Sequence, residues 1–383
     1  MQTIGITGQA GFIGTHLFNY LSLFKDQYQL KPFDDGFFSD PGKLSQWVSG
    51  LDVVVHLAAM NRHGDPQVIY DTNIRLVRQL IAALEETGSK PHLLFSSSLQ
   101  EERDNPYGRS KKEGRSLLAD WASRNRSPFT GMIIPNVYGP FGHPYYNSVV
   151  ATFCHQLNHG ETPVIDIDGL LKLIYVGELT QVFRHHIDEK TSNPALHIPH
   201  TVEKRVSEIL AILESLNTSY LTLNTFPLLP DAFHLNLFNT FRCFMDIAGH
   251  FPVKLKMNTD NRGAFVETIR AKPGGQVSFS PTKPGITRGN HFHTRKIERF
   301  AVISGKARIQ LRRIGTSEVL NFDLSGDEPA FVDMPVWYTH NITNTGNDEL
   351  LTIFWINEFF DPADPDTLDR KSTRLNSSHR IRT

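Results

Sequence analysis

The sequence has 383 residues, with 39 Lys and Arg against 40 Asp and Glu, and a formal net charge of −1. A nearly neutral chain with no long basic run in its body argues against a nucleic-acid-binding protein, and no apolar run approaches the ~18 residues of a membrane span. The first residues lack the basic and apolar regions of a secretory signal, and two cysteines, Cys154 and Cys243, are too few for a disulfide framework. We therefore expect a cytoplasmic protein that binds no nucleic acid and does not span a membrane.

The N-terminus predicts a nucleotide-binding strand, turn and helix. "TIGITG" from Thr3 is a short apolar run that ends in glycine, and "GQAGFIGTHLFNYL" continues with helical spacing. Gly8, Gly11 and Gly14 lie on the turn and the first helical turn, where glycine lets the backbone approach a pyrophosphate and free N–H groups meet its charge. Tight turns also produce glycine triplets, but the position between a first strand and a helix favours dinucleotide binding.

Further strands and helices alternate along the first half of the chain. "LDVVVHLAA" from Leu51 to Ala59 and "HLLFSSS" from His92 to Ser98 are apolar runs typical of buried parallel strands, and the helical pattern between them ends at Gly88. This alternation predicts an α/β Rossmann-like, doubly wound parallel sheet. Ligands of such sheets bind at the carboxyl ends of the strands, where Gly8 and Ser98 lie.

A possible proton relay follows the third of these strands. Pro106 marks a helix start, and the spacing of four residues puts Tyr107 and Lys111 on one face of that helix. A neighbouring ammonium favours the phenolate, so we expect Lys111 to lower the pKa of Tyr107 from its usual value near 10. A serine hydroxyl can then hold a carbonyl oxygen while the phenol delivers a proton.

Residues 1 to about 245 resemble the extended short-chain dehydrogenase/reductases that act on sugar nucleotides. The resemblance is carried by "GQAGFIG", "HLAA", "FSSS", "YGRSK" and "PNVYGP". It implies a catalytic set of Ser98, Tyr107 and Lys111, with Ser97 as the competitor for the serine role. It also implies cofactor contacts, which fall here on Gly8, Gly11, Phe12, Ile13, Gly14, Leu57, Ala58, Tyr107 and Lys111. The candidate substrate ligands are Asn136 and Asn147, although Asn147 equally suits a turn or helix N-cap.

Two features depart from the pattern of that family. Eight residues separate Ser98 from Tyr107, fewer than most of the family has, which implies a short loop and a more open substrate cleft. An acidic residue after the second strand favours NAD, whereas an arginine accepts the 2′-phosphate of NADP. Here Asp34 and Asp35 follow that strand and Lys31 lies upstream. The family favours NADP, so we expect NADP, with NAD as the alternative.

From about residue 246 to residue 370 the pattern changes to short strands between Gly, Pro, Asn and Asp turns, which predicts an all-β sandwich or barrel. Before it, "EKRVSEILAILESL" predicts a surface helix and "FPLLPDAFHLNLFNTF" a segment that packs across the outside. The Ser/Arg-rich residues 371–383 follow a Pro/Asp-rich exit, and we interpret them as a disordered, non-native tail rather than a basic binding arm.

One stretch of the second half, "PGITRGNHFHTRKIERFAVISG" from Pro284, predicts a metal site. Residues two apart on a strand share a face, so His291 and His293 point the same way, and two inward histidines are costly unless they are ligated or hydrogen-bonded. The next strand can return Glu298 to the same cavity, and "PVWYTHNITN" supplies His340. Three histidines and a glutamate suit zinc or another divalent ion.

The second half is similar to the cupins, whose first motif reads G-x5-H-x-H-x4-E-x6-G. The matching positions are Gly285, His291, His293, Glu298 and Gly305. In the looser second motif Pro335, His340 and Asn344 fit, but Trp337 stands where the motif has glycine. Trp337 narrows the barrel mouth or simply packs in the core; the sequence leaves both open.

The pairing of the two halves, over residues 1 to 370, resembles the CapF-type family of capsular polysaccharide and O-antigen enzymes. That resemblance implies a dimeric, bifunctional enzyme on the route to UDP-N-acetyl-L-fucosamine. The cupin domain would invert C3 of a UDP-linked 4-keto-6-deoxy-N-acetylhexosamine, and the reductase domain would reduce the C4 ketone to give UDP-N-acetyl-6-deoxy-L-talosamine. The alternatives are a 4-epimerase or 4,6-dehydratase that recycles its own NAD, and a redox-inactive binding protein.

Overall fold

The computed structural model describes residues 1–369 apart from residues 191, 262 and 273, so the predicted tail at 371–383 lies outside the described residues. The chain forms two compact units. The first comprises Met1–Thr152 and Ile165–Glu208, and the second comprises Phe153–Val164 and the chain from Ile209 onward. Residues 209–245 therefore belong to the second compact unit. The boundary predicted at 245/246 concerns the two functional domains and stays a prediction.

The first half is built on a parallel sheet. Its strands are β1 (Gln2–Thr7), β2 (Tyr28–Lys31), β3 (Val53–His56), β4 (His92–Ser98), β5 (Phe129–Ile134), β6 (Asn136–Tyr138), β7 (Leu170–Tyr175), β8 (Asn193–His197) and β9 (Val202–Arg205). The main sheet has the order β2-β1-β3-β4-β5-β8, with every neighbouring pair parallel. A smaller sheet joins β6, β7 and β9.

Helices connect these strands, and further helices belong to the second unit. They are α1 (Phe12–Leu21), α2 (Pro41–Val48), α3 (Pro66–Thr87), α4 (Pro106–Asn125), α5 (Val149–Asn158), α6 (Val176–Glu189), α7 (Val206–Asn217), α8 (Ala232–Arg242) and α9 (Ile247–His250). Local sequence sets the ends of α3, since Asp65 caps its N-terminus and Gly88 takes the left-handed C-cap with φ +64°. Within the described part of the chain, no helix is both long and apolar enough to cross a membrane.

Alternate residues of the parallel strands pack on opposite faces of the sheet. On one face, Val54, Leu93 and Phe95 pack with side chains of α2, α3 and α4. On the other, Val53 and Leu94 pack with side chains of α1 and α6. Strands buried on both faces read as continuous apolar runs because each face meets a helix layer. The predicted doubly wound α/β class is thus confirmed.

The second unit contains two antiparallel sheets. Its strands are β10 (Val253–Lys254), β11 (Met257–Asp260), β12 (Gly263–Val266), β13 (Gln276–Thr282), β14 (Thr287–Phe292), β15 (Glu298–Ser304), β16 (Lys306–Arg313), β17 (Leu320–Ser325), β18 (Ala330–Met334), β19 (Tyr338–Asn344), β20 (Leu350–Ile356) and β21 (Leu368–Asp369). One sheet has the order β10-β18-β15-β20-β13 and the other β17-β16-β19-β14-β21. β11 and β12 form a separate hairpin.

Both sheets contribute to one apolar core, which includes Val302 and Val332 from the first sheet and Ile309 and Ile342 from the second. The predicted all-β architecture of the second half is therefore confirmed. α7 has the two faces of the predicted surface helix, since Glu208 and Glu214 are exposed and Ile209 and Leu213 are buried. The expectation that α8 lies across the outside was wrong in part: its Leu237, Phe238 and Phe241 are fully buried, and an amphipathic stretch of sequence does not reveal what its apolar face meets.

Candidate active site and candidate metal centre

The glycine turn after β1 has the close backbone packing that its sequence predicts. Gly8 has φ +66°, and a Cβ there would lie 2.8 Å from the backbone nitrogen of Ala58. The Gly11 N–H donates to the Gly8 carbonyl over 3.0 Å. A Cβ on Gly14 would collide with the Gly8 carbonyl oxygen. The turn thus requires glycine, and Phe12 and Ile13 follow as the first residues of α1, at a helix end whose first N–H groups have no partner within the helix.

The end of β3 is joined to this turn through Thr7. The Leu57 N–H donates to the Thr7 carbonyl over 3.3 Å, and the Ala58 N–H donates to the Thr7 hydroxyl oxygen over 3.3 Å. That hydroxyl also lies 2.7 Å from Nδ1 of His56. Burial, with a contribution from Lys111, lowers the pKa of His56 to about 3, so this histidine is neutral at physiological pH. The predicted cofactor residues of β1, α1 and the β3 end therefore meet at one edge of the sheet.

Tyr107 and Lys111 lie on adjacent turns at the start of α4. Asn105 caps this helix, since its Oδ1 accepts from the Gly108 N–H over 2.7 Å. The Lys111 side chain is 4% exposed, and its Nζ donates to the Ser96 carbonyl over 2.8 Å. Nζ lies 5.9 Å from the centre of the Tyr107 ring and 5.1 Å from that of Phe95. The helix thus brings the predicted pair together beside the end of β4.

The pKa values of the pair differ from the expectation drawn from sequence. Burial and the neighbouring Tyr146 raise the pKa of Tyr107 to about 12, where a pKa lowered by the lysine was predicted. Burial lowers the pKa of Lys111 to about 8. Desolvation disfavours both charged forms, and it outweighs the attraction between ammonium and phenolate. The phenol is therefore protonated at neutral pH, which suits a proton donor.

The two candidate serines at the end of β4 have different environments. The Ser97 hydroxyl donates to Glu101 over 2.6 Å, and Glu101 is in turn paired with Arg115 over 2.8 Å. Ser98 is less buried, and its hydroxyl oxygen accepts only from the Gln100 N–H in a capping bond of 3.2 Å. The Ser98 hydroxyl keeps its proton for an external acceptor, whereas Ser97 is committed to a carboxylate. The short 3₁₀ turn Leu99–Glu102 forms most of the connection to α4.

The predicted substrate ligands lie in exposed positions of the first unit. Asn136 begins β6 and donates to the Lys172 carbonyl over 3.2 Å. Asn147 is an exposed turn residue that precedes the N-terminus of α5. The turn before it is attached to Arg62, whose guanidinium donates to the carbonyls of Tyr145 and Tyr146. Arg62 follows the "HLAA" segment and has no sequence signature, so the sequence did not single it out.

The residues proposed to choose between NAD and NADP are engaged by neighbouring backbone. The Lys31 ammonium donates to the Gln46 and Ser49 carbonyls at the end of α2, over 3.0 and 3.2 Å. The Asp34 carboxylate accepts from the Gly36 N–H over 2.7 Å and caps a 3₁₀ turn that contains Asp35. Lys31 thus stabilises the C-terminus of α2. Asp34 caps the 3₁₀ turn through one carboxylate oxygen, and its other oxygen has no hydrogen bond among the described residues.

The second unit brings together the four residues of the predicted metal site. Ligand atoms of His291, His293, Glu298 and His340 all lie within 4.8 Å of one another. β14 supplies the first histidine, the segment after it the second, the start of β15 the glutamate, and β19 the last. A register shift between Gly289 and His291 re-aims the end of β14.

The buried donor atoms of this cluster fit a divalent ion. Glu298 Oε2 lies 3.0 Å from His293 Nε2 and 3.1 Å from His340 Nε2, yet all three atoms are buried without a hydrogen-bond partner. His293 Nδ1 hydrogen-bonds the Asp366 carbonyl, and His340 Nδ1 lies 3.2 Å from the Tyr338 carbonyl. A carbonyl accepts, so each Nδ1 carries the proton and each Nε2 presents a lone pair to the centre. Backbone carbonyls orient metal-binding histidines in this way.

The charge state of the cluster agrees with that fit. Burial raises the pKa of Glu298, but His293 and His340 outweigh burial and hold the pKa well below its usual range. Burial, His340 and His293 lower the pKa of His291 to about 3. The Glu298 carboxylate and the unprotonated His291 are therefore in the form that binds metal. Burial lowers the pKa of His293, but Glu298 outweighs burial and raises it, so a divalent ion would displace a proton from this imidazole.

Two further positions of the cupin motifs, Trp337 and Asn344, have structural roles. Trp337 has φ +63°, the left-handed backbone that favours the glycine of the motif, and its N–H donates to the His293 carbonyl over 2.8 Å. The indole is 8% exposed and lies 5.7 Å from the Phe292 ring, so Trp337 packs in the core. The Asn344 amide donates to the Thr282 and Asp348 carbonyls, each over 2.8 Å, and so fixes the turn after β19.

Sequence comparisons divide the chain at similar places. Residues 4–198 match the NAD dependent epimerase/dehydratase family, and residues 258–368 match the polysaccharide biosynthesis C-terminal domain. A Pseudomonas aeruginosa protein named UDP-2-acetamido-2,6-beta-L-arabino-hexul-4-ose reductase is 32% identical over 364 residues, 94% of this chain and 96% of that protein.

Structural comparisons agree. The crystal structure of the capsular polysaccharide assembling protein CapF from Staphylococcus aureus is 34% identical, with a TM-score of 0.61 over 96% of this chain and 99% of that one. At 21% identity, a Pseudomonas aeruginosa protein, RMD, crystallised with NADPH, has a TM-score of 0.52 over 57% of this chain and 83% of its own, and shows the fold alone.

Proposed function

Because the chain belongs to the NAD dependent epimerase/dehydratase family, we propose that its first unit is an NAD(P)H-dependent reductase of a UDP-linked 4-keto sugar. The observation that carries this proposal is the pair of Tyr107 and the buried Lys111, whose ammonium lies 5.9 Å from the Tyr107 ring centre and donates to the Ser96 carbonyl at the end of β4. The similarity to a named UDP-sugar reductase along nearly the whole chain supports the same substrate class.

The first unit would act through hydrogen bonds and one proton transfer. A bound reduced nicotinamide supplies a hydride to the carbonyl carbon. Ser98 donates a hydrogen bond to the substrate carbonyl oxygen, and Tyr107 delivers the proton that this oxygen needs when it becomes a hydroxyl. The Lys111 ammonium stabilises the phenolate that remains until solvent returns the proton. Gly8, Gly11 and Gly14 leave room for the cofactor diphosphate against the N-terminus of α1.

We propose that the second unit inverts C3 of the same UDP-4-keto-6-deoxy-N-acetylhexosamine before reduction. His291, His293, Glu298 and His340 would hold one divalent ion, for which zinc is our first choice. Such an ion supplies Lewis-acid stabilisation of negative charge on an oxygen beside an acidic C–H bond. The protein would orient the C4 carbonyl toward the cluster and expose the C3 proton to a base. The product after reduction would be UDP-N-acetyl-6-deoxy-L-talosamine.

One experiment separates this proposal from its alternatives. The purified protein is offered a UDP-4-keto-6-deoxy-N-acetylhexosamine with NADPH or NADH, and oxidation of the cofactor is followed with product identification by NMR. A reductase consumes one cofactor per product. A 4-epimerase or dehydratase that recycles bound NAD would convert sugar with no net consumption, and a redox-inactive binding protein would do neither. We propose NADP as the preferred cofactor and a homodimer on the family resemblance, and a cytoplasmic location on the low cysteine content of the chain.

A further inference from the structure

A cavity of about 340 Å³ opens in the second unit directly at the histidine–glutamate cluster. His291 and Glu298 lie in its wall. The rest of the wall combines apolar side chains with a few polar ones: Phe300, Ile342, Phe354, Ile356 and Phe360, and Gln276, Ser278, Ser280 and Arg288. A mostly apolar cavity with a few convergent polar groups is typical of small-molecule sites, whose volumes run from about 300 to 1,000 Å³.

Arg288 is held in a fixed position on this wall. It lies on β14, three residues before His291. Its Nε donates to the Thr282 hydroxyl over 3.0 Å, and Thr282 is only 3% exposed. One terminal nitrogen contacts the Pro281 carbonyl at 3.4 Å. Because neutral acceptors orient the guanidinium from one side, its other N–H groups are directed away from these anchors and are available to a ligand.

The guanidinium of Arg288 also lacks a counter-ion among the described residues. Its two described hydrogen bonds go to a hydroxyl and a carbonyl, neither of which carries charge. Elsewhere on the same barrel, Arg308 is paired with Asp323 over 2.8 Å and Arg299 with Asp333 over 2.7 Å. An arginine without a carboxylate partner leaves the entrance of the cavity positive, while Glu298 provides the negative charge near the cluster.

We propose that Arg288 is the phosphate-binding residue of this cavity and takes the diphosphate of a nucleotide-linked sugar. Its planar fork of N–H donors matches two phosphate oxygens. The sugar carbonyl then faces His291 and Glu298, and the hydrophobic wall contacts the ring and its methyl group. This assignment rests on the proposed function for the identity of the sugar, but phosphate binding by Arg288 can be tested without catalysis.

The first test measures protection of Arg288 in the intact protein. Full-length protein is treated with phenylglyoxal, and modification of each arginine is followed by peptide mass spectrometry with UDP, with uridine or with neither. We expect saturating UDP to slow modification of Arg288 at least fivefold, uridine to have no effect, and the rate at Arg308 to stay constant as an internal control. An Arg288 rate that UDP leaves unchanged overturns the proposal, whether or not the protein turns over a UDP-sugar.

The second test measures the role of Arg288 in the proposed reaction. Solvent deuterium exchange at C3 of the UDP-4-keto sugar is followed without NAD(P)H in wild-type protein, Arg288→Gln and Arg308→Gln, which removes the same charge outside the cavity. We expect Arg288→Gln to raise KM ten- to a hundredfold with kcat within threefold of wild type, and Arg288→Lys to restore part of the loss. An unchanged KM in Arg288→Gln contradicts the assignment. Absence of exchange in the wild-type protein contradicts the proposed epimerase function instead, and the protection test then decides the role of Arg288.

Discussion

The Lys111 ammonium lies 5.9 Å from the centre of the Tyr107 ring, one helical turn away, and hydrogen-bonds the Ser96 carbonyl rather than the phenol. Burial moves the pKa values of the two groups in opposite directions, down to about 8 for Lys111 and up to about 12 for Tyr107. The Tyr107 phenol is therefore protonated at neutral pH, and the Lys111 ammonium lies close enough to stabilise the phenolate after the proton has left.

Removal of the Tyr107 hydroxyl tests the role of the phenol as the proton donor. In Tyr107→Phe we expect the reduction rate to fall by about 10²–10⁴, the usual contribution of a positioned acid, while the Kd for NAD(P)H changes little. Stopped-flow oxidation of NAD(P)H and fluorescence titration of the cofactor measure the two quantities. Tyr70→Phe is the matched control, since it removes a tyrosine hydroxyl of α3 that donates to Glu113 of α4. Near-normal reduction in Tyr107→Phe would end the assignment.

The lowered pKa of Lys111 predicts a pH limit for reduction. If the ammonium is needed, kcat/KM should be level below pH 8 and fall as the pH rises through about 8, where Lys111 loses its proton. In Lys111→Arg the guanidinium keeps its charge up to pH ~12. When kcat/KM is normalised to its value at pH 7, the variant should therefore show no fall near pH 8. A profile for the variant that matches wild type would assign the limit to another group.

The same shift predicts how stability depends on pH. The folded pKa of Lys111 lies below the value of ~10.4 expected in the unfolded chain, so between these values the unfolded chain binds more protons. The contribution of Lys111 to the free energy of unfolding should therefore rise from pH 8 upward. Urea unfolding of wild type and Lys111→Met at pH 7.5 and 9.5 checks this, and a wild-type gain no larger than that of the variant would refute it.

Cofactor preference can be decided by direct comparison. We expect a higher kcat/KM with NADPH than with NADH, as the family resemblance implies. In Lys31→Met the ratio should stay within twofold of wild type, because the Lys31 ammonium is bound to carbonyls of α2. A clear NADH preference in the wild-type protein would show that Asp34 and Asp35 outweigh the family expectation.

Loss of a ligand should separate the two chemistries. His291→Ala should release the bound divalent ion and abolish deuterium exchange at C3, whereas hydride transfer to the unepimerised 4-keto sugar should survive in part, since the first unit uses none of the four cluster residues. Metal content by mass spectrometry, NMR of C3 and NAD(P)H oxidation report the three effects. The control is His234→Ala, since His234 lies on α8 and pairs with the N-cap residue Asp231. Wild-type exchange in a metal-free His291→Ala protein would make the metal structural.

Trp337 balances backbone strain against packing. A non-glycine residue in the left-handed region costs about 1–2 kcal/mol, whereas truncation of a buried tryptophan to a small residue costs about 3–5 kcal/mol. Trp337→Gly should therefore lower the free energy of unfolding by about 1–4 kcal/mol despite its relaxed backbone. Calorimetry of the full chain measures the change, and a stabilised variant would show that strain exceeds packing.

The features that depend on local pattern could be predicted from the amino-acid sequence. Continuous apolar runs specify strands covered on both faces, so the parallel sheet was predictable, and β4 was predicted over its exact range His92–Ser98. Fixed spacings likewise identified Tyr107 with Lys111, and His291 with His293, because one helical turn or one strand pleat fixes which side chains are neighbours. His340 came from a second motif, and the structure brings it to the same cluster.

The features that depend on the surroundings of a side chain could not be predicted from local pattern. Burial reverses the expected pKa shift of Tyr107, since desolvation of the phenolate is a property of the folded site and exceeds the attraction of Lys111. Our preference for Ser98 over Ser97 likewise rests on a contact in the folded chain, the hydrogen bond from Ser97 to Glu101. The proposal for Arg288 rests on the absence of a carboxylate partner among the described residues, which no local pattern records. Spacing gives adjacency along one element, but the burial and the hydrogen-bond partners of a side chain depend on how the folded chain surrounds it.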